Sequence, residues 1–144
     1  MTDLQKNIDH SQITLKKAKE LINQINMENS SWINLGVKQD DVEKAERLLK
    51  DIEKEIGKIA ESAIEAIPSN NFNDETASFL NDSIHIAFFD LNKIYSDIKN
   101  IKKNIKTHTD QRNNVKRIDE HFNQFTNDYE RIKNQLEQVL LNKR

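Results

Sequence analysis

The sequence predicts an all-α protein that folds as an antiparallel up-down-up-down four-helix bundle of long, coiled-coil-like helices. The 144 residues include only two glycines and one proline, which leaves little material for the tight turns that join strands. Apolar residues also alternate by threes and fours over most of the chain, the spacing that keeps one face of a helix against its neighbours. We expect a single domain, 1–144, with helices at approximately 3–28, 41–67, 74–106 and 110–142.

The first two helices are indicated by capping signatures and apolar seams. Thr2 with Gln5, and Asp40 with Glu43, have the spacing of capping boxes, and Ser11 is the one polar interruption of the first seam. The second helix closes at Pro68. The two seams consist of Leu4, Ile8, Leu15, Ala18, Ile22 and Ile25, and of Val42, Ala45, Leu49, Ile52, Ile56, Ile59, Ala63 and Ala66.

The third helix can be capped by Asn73, and Thr109 or Asp110 can cap the fourth. Their seams consist of Ala77, Leu80, Ile84, Ala87, Leu91, Ile94, Ile98, Ile101 and Ile105, and of Val115, Ile118, Phe122, Phe125, Tyr129, Ile132, Leu136 and Val139. From Ile105 to Val115 the seam slips by three residues, which predicts a hairpin corner at the Thr-His-Thr-Asp stretch. The alternative is a helical hairpin plus one continuous helix of about 70 residues, which would need a dimer to cover it.

A second apolar set on the third helix does not belong to its seam. With Ile84 set at zero, Phe79, Ile86 and Phe89 lie at about 220°, 200° and 140° around the helix axis. Either the third helix lies between other helices and buries both faces, or these side chains form an exposed patch. An exposed patch would indicate binding to another protein or to a second copy, since soluble monomers rarely leave contiguous apolar surface uncovered.

Positive charge gathers where the third and fourth helices meet. Between 99 and 117 the only acidic residue is Asp110, and the basic residues are Lys99, Lys102, Lys103, Lys106, Arg112, Lys116 and Arg117. In the predicted topology this end also receives the first connector with Trp32, the only tryptophan. The basic residues form either a solvated face that partly opposes the acidic start of the second helix, or a docking site for an acidic partner, an anionic membrane or nucleic acid. The stretch has no interleaved aromatic residues, so nucleic acid is not favoured.

Trp32-Ile33-Asn34-Leu35-Gly36 is similar in position to the Trp-x-Gly turn of the helical-hairpin proteins of type VII secretion. The spacing here is longer by two residues and the resemblance covers only the first half of the chain, so we do not assign the sequence to that family. The simpler interpretation is that Trp32 closes one end of the core. A secreted hairpin-type partner remains an alternative function.

No motif for catalysis or for a cofactor is present in the sequence. Two isolated glycines cannot form a phosphate-binding or dinucleotide-binding loop, and without cysteine there is no thiolate chemistry. Asp82 with His85 is a single metal-ligand pair, where a di-iron bundle needs two. We therefore expect no enzyme activity, no metal and no cofactor, and we expect His10, His85, His108 and His121 to be surface or boundary residues.

The net charge of −2 lacks the basic excess that is typical of nucleic-acid-binding proteins. The first residues have no apolar core of a signal peptide, and no apolar run is long enough for a transmembrane helix. A cytoplasmic location is expected, with leaderless export left open. The sequence thus predicts a non-enzymatic protein-interaction module, such as an adaptor, a chaperone-like protein, an inhibitor or an assembly subunit. Nucleic-acid or anionic-membrane binding and a homo-oligomeric structural spacer are the alternatives.

Overall fold

The computed structural model describes residues 3–30, 37–66, 74–107 and 109–142, which form four helices without a strand among them. The helices are α1 (Asp3–Ser30), α2 (Gln39–Ala66), α3 (Asp74–Thr107) and α4 (Arg112–Asn142). They pack together as a four-helix bundle, which confirms the predicted fold class. The predicted caps Thr2 and Asn73 and the helix-closing Pro68 lie outside the described residues.

Each helix packs against the next one in the chain, and α4 also packs against α1. Side-chain hydrogen bonds show that neighbouring helices are antiparallel, because later residues of one helix bond to earlier residues of the other. Asn7 Nδ2 donates to Ser62 Oγ at 2.6 Å, and Thr14 Oγ1 donates to Glu55 Oε1 at 2.9 Å. Bonds between α2 and α3, between α3 and α4, and between α4 and α1 run in the same opposed order, so the bundle is a closed ring of four antiparallel contacts.

The core consists of the predicted seams together with Val37, which precedes α2. All of their described members are buried except Ala77, Ile84 and Ile105 on α3, which are partly buried. The side chains of Ala66 and Val139 lie outside the description. Full burial of one such aliphatic side chain stabilises a fold by about 1.5–3 kcal/mol. The seams of the four helices therefore supply the main force that holds the bundle together.

Ser11, the polar interruption of the first seam, is fully buried and bonded to another helix. Its hydroxyl group is hydrogen-bonded to that of Tyr129 on α4, and the carbonyl oxygen of Ile8 lies 2.7 Å and 3.2 Å from the two oxygens. Burial raises the pKa of Tyr129 to about 12, although the Ser11 hydrogen bond acts in the opposite direction. A buried hydroxyl without a partner would cost free energy, so this pair satisfies both groups.

The corner between α3 and α4 is a hairpin, and the alternative of one continuous helix is wrong. The carboxylate of Asp110 accepts the Arg112 N–H at 2.9 Å. Asp110 nevertheless stands one residue before the cap position, which is Gln111 because its carbonyl oxygen accepts the Val115 N–H. The buried side chain of Gln111 donates from Nε2 to the carbonyl oxygen of Ile101 at 2.8 Å. The first bond satisfies an N–H group that the start of α4 leaves unpaired. The second joins the buried side chain of Gln111 to the backbone of α3.

The observed helix ends lie within two residues of the predicted ones. The largest consequence is at α2, which begins at Gln39 rather than near 41. The N–H of Val42 donates to the carbonyl oxygen of Lys38 at 3.2 Å, so Asp40 lies inside the first turn and does not cap it. Its charge still lies at the positive end of the helix dipole.

Gly57 provides a direct test of helix energetics in α2. A methyl group added at this position would meet no atom within 4 Å. We expect Gly57→Ala to raise the free energy of unfolding by about 0.5–1 kcal/mol, because alanine removes the entropic cost of glycine in a helix. Urea titration followed by circular dichroism measures this change. The reverse substitution Ala60→Gly, one turn away, should lower it by a similar amount, and a loss of stability in Gly57→Ala would contradict the packing described.

Candidate protein-interaction site

Three large apolar side chains of α3 lie on the outside of the bundle. Phe79 is 44% exposed, Ile86 is 45% exposed and Phe89 is 63% exposed. They follow one another along the helix at spacings of seven and three residues, so they lie on one side of it. We call these three residues the α3 stripe. The first alternative, in which both faces of the helix are buried within the fold, is therefore not what the structure shows.

The stripe is exposed because the other faces of α3 already have neighbours. The seam faces the core, and one flank faces α2, where the Tyr95 hydroxyl donates to Glu53 Oε2 at 2.9 Å. The other flank faces α4 through buried polar residues that recur every seventh position: Ser83, Asp90 and Asp97. Of these, Asp97 Oδ2 lies 2.5 Å from Nδ1 of His121 on α4. The stripe lies on the part of the helix surface that remains.

Lys93 links the stripe to the buried flank. Its Nζ lies 4.7 Å from the centroid of the Phe89 ring, a cation–π arrangement, and 3.4 Å from Oδ1 of Asp90. A cation over an exposed ring contributes about 0.5–1 kcal/mol. The apolar surface of Phe89 is therefore bordered by a positive charge.

Asp90 and Asp128 form a carboxyl pair between α3 and α4, and both are buried. Burial raises the pKa of Asp128 to about 7, and the hydrogen bond and negative charge of Asp90 act in the same direction. Two carboxyl groups that hydrogen-bond to each other must share a proton, because neither carboxylate can donate. One oxygen of each, Oδ2, has no hydrogen-bond partner among the described residues.

Another buried acid lies between α1 and α2. Glu55 accepts the Thr14 hydroxyl, and its Oε1 lies 2.7 Å from Nδ1 of His10. Burial raises the pKa of Glu55, while Thr14 and His10 partly offset this effect.

The buried acids were not singled out from the sequence. Asp90 and Asp128 could have been found from polar residues that recur every seventh position beside the apolar seams. On α3 these residues are Ser83, Asp90 and Asp97, and on α4 the residues opposite them are Gln135, Asp128 and His121.

The basic end is partly neutralised within the chain. Lys102 Nζ lies 2.8 Å from Oε1 of Glu46 on α2, and Arg112 binds the carboxylate of Asp110 at 2.8 Å. The remaining basic residues of the stretch are exposed: Lys99, Lys103, Lys106, Lys116 and Arg117. The structure thus places the predicted basic residues at one end of the bundle, with two of them already paired. Trp32, which was predicted to lie beside them, is outside the described residues.

The other candidate groups do not converge on one place. His10, on the surface of α1, contacts Glu55, and His121 is partly buried on α4. His85 and Asp82 are exposed on α3, and His108 lies outside the description. Within the described ranges, no group of three or more potential metal-ligating side chains comes together, and no helix there combines the length and apolar character of a membrane span.

The described fold and surface define an all-α four-helix bundle with an uncovered apolar stripe on its third helix. No protein-family model, curated protein or solved structure matches the chain.

The carboxyl pair predicts how stability depends on pH. Because the pKa of Asp128 is raised in the folded state, the folded protein binds an extra proton between pH 4 and pH 7, approximately. The free energy that this bound proton contributes to folding is fully present below about pH 4, and it is lost as the pH rises through about 7. We expect Asp128→Asn, which mimics the protonated acid, to be more stable than the wild type at pH 8 by an amount on the order of a few kcal/mol. The two proteins should converge near pH 4.5.

Chemical denaturation at several pH values measures this difference. Glu120→Gln on the exposed side of α4 is the matched control and should show no such trend. A constant difference between Asp128→Asn and the wild type from pH 4.5 to pH 8 would show that the two carboxyl groups do not share a proton.

Proposed function

We propose that this protein is a non-enzymatic protein-interaction module that binds a protein partner through the α3 stripe. The observation that carries the proposal is the exposure of Phe79, Ile86 and Phe89 on a helix whose other faces are packed. Exposed apolar side chains on one continuous surface are typical of protein interfaces, and aromatic residues are enriched in such interfaces. The core does not need them, because the seam and the two flanks of α3 already face the other helices.

The basic end supports a binding role less well. Its residues lie on the surface, but Lys102 and Arg112 have acidic partners in the chain, and the described corner lacks aromatic side chains for base stacking. Reversal of charge at Lys102, Lys103 and Lys106 should therefore leave partner binding through the stripe unchanged.

A role in binding rather than folding predicts that the stripe tolerates a charge. We expect Phe89→Asp to change the free energy of unfolding by less than about 1 kcal/mol, since surface substitutions usually have small effects. Phe125→Ala in the core should lower it by about 3–5 kcal/mol. Thermal and urea denaturation compare the two variants. Unfolding of Phe89→Asp would show that the ring belongs to the core.

Binding itself can be tested by photo-crosslinking in living cells of the organism that encodes the protein. A benzophenone-bearing amino acid replaces Ile86 in the stripe or, as a control, the exposed Asn92 outside it. We expect a discrete covalent protein adduct from position 86 and none from position 92, and we expect Phe89→Asp to abolish the adduct. If position 86 gave no adduct, or if both positions gave the same one, the stripe would not be a specific binding surface.

A further inference from the structure

We propose that the occupant of the α3 stripe is a second copy of this chain, paired through α3 in an antiparallel arrangement across a two-fold axis between Ala87 and Phe88. This inference rests on the proposed function and adds the identity of the partner. It is carried by the positions of two charged residues, Asp82 and Lys93, that flank Ile86 and Phe89 of the stripe on either side.

The stripe is part of a longer row on the outside of α3. Its six members are spaced alternately by three and four residues, which is the pattern of a seam between two helices. Lys93 is half-buried and the other members are exposed. The row consists of Phe79, Asp82, Ile86, Phe89, Lys93 and Ser96, and we call it the outer row.

A two-fold contact is self-complementary, so a residue i that meets residue j is repeated as j meeting i. With the axis between Ala87 and Phe88, Ile86 of one copy faces Phe89 of the other. The next layers place Asp82 opposite Lys93. The center of the contact is therefore apolar, and an opposite-charge pair closes it at each end, with Phe79 and Ser96 forming the outermost layers.

Other arrangements of the outer row bring like charges together. In a parallel pair, Asp82 faces Asp82 and Lys93 faces Lys93. Sliding the antiparallel pair by one heptad brings either both copies of Asp82 or both copies of Lys93 next to the axis among apolar side chains. Juxtaposed like charges oppose association, so the charges select the register with the axis between Ala87 and Phe88.

Lys93 is available for this contact. Its distance of 3.4 Å from Asp90 Oδ1 is longer than the 2.7–2.9 Å of a tight charge-assisted hydrogen bond, and 37% of its side chain is exposed. Its ammonium group also lies over the Phe89 ring, which is at the center of the proposed contact. A small rotation of the side chain would direct it to Asp82 of the second copy.

The interface is small. The three apolar side chains of the stripe expose roughly 300 Å² per copy, given the usual area of such side chains. A standard stable interface buries at least about 1,200 Å² in total. We therefore expect a dimer with a dissociation constant in the micromolar range or weaker, so the experiment must cover concentrations up to about 1 mM.

Charge reversal tests both the partner and the register. Sedimentation equilibrium at low ionic strength should show a monomer–dimer equilibrium for the wild type. Asp82→Lys or Lys93→Glu alone creates two like-charge pairs and should weaken dimerisation at least about tenfold. The double variant restores both pairs with reversed polarity and should dimerise within about threefold of the wild type.

Asp74→Lys is the matched control, because it makes the same charge change at an exposed position of α3 outside the outer row, and it should leave dimerisation unchanged. Melting temperatures establish that each variant is folded. The Lys93→Glu substitution lies beside the buried Asp90 in both variants that carry it, so the comparison of Lys93→Glu alone with the double variant isolates the effect of the pair with Asp82. A monomeric wild type at 1 mM, or a double variant as weak as Lys93→Glu alone, would overturn the inference.

The crosslinking experiment separates this inference from the proposed function. An adduct from position 86 with twice the mass of the chain supports self-pairing. An adduct of another mass, together with a monomeric wild type, would overturn self-pairing and leave the proposed protein-binding function in place. The absence of any adduct from position 86, with a monomeric wild type, would remove both.

Discussion

The bundle depends on a geometric constraint on its apolar seams. Each helix has one row of apolar side chains, interrupted in α1 by Ser11, and all four rows leave water together only if they face a common axis. A helix of about thirty residues with one such row is not stable alone, because ordering its backbone costs on the order of 1 kcal/mol per residue. Every helix therefore needs two neighbours, and the closed ring of antiparallel contacts provides them.

Buried polar pairs determine how one helix is aligned along its neighbour, which an apolar seam alone does not. A seam with a repeat of seven residues packs almost equally well after a shift of one heptad, but a buried hydroxyl or carboxyl group does not, because the shift would leave it without its partner. Ser11 meets Tyr129, and Thr14 meets Glu55, only when α1 has one alignment with α4 and with α2. Asp90 and Asp128, which are both buried where α3 meets α4, would lose each other after such a shift in the same way.

The sequence was sufficient for the fold class, and it singled out the α3 stripe as a candidate site. The seams, the polar interruption at Ser11 and the register slip after Ile105 predicted the helices and the hairpin corner, since each is a pattern that one helix carries in its own residues. Whether Phe79, Ile86 and Phe89 are buried depends on how many neighbours α3 has and on which sides, which no single helix encodes. The carboxyl pair was missed for the same reason: Asp90 and Asp128 look like ordinary surface acids until α3 and α4 are placed side by side.

The difference between the apolar residues of α3 and those of the other helices bears on function. Elsewhere the exposed large apolar side chains of the described residues are isolated, as Ile13 and Met27 are on α1, and isolated apolar residues are normal on a protein surface. On α3 three of them share one side with two opposite charges at symmetric positions. The core gains nothing from this arrangement, and three exposed apolar residues reduce solubility. An arrangement that does not serve folding, and that acts against solubility, is best explained by a contact that forms outside the bundle.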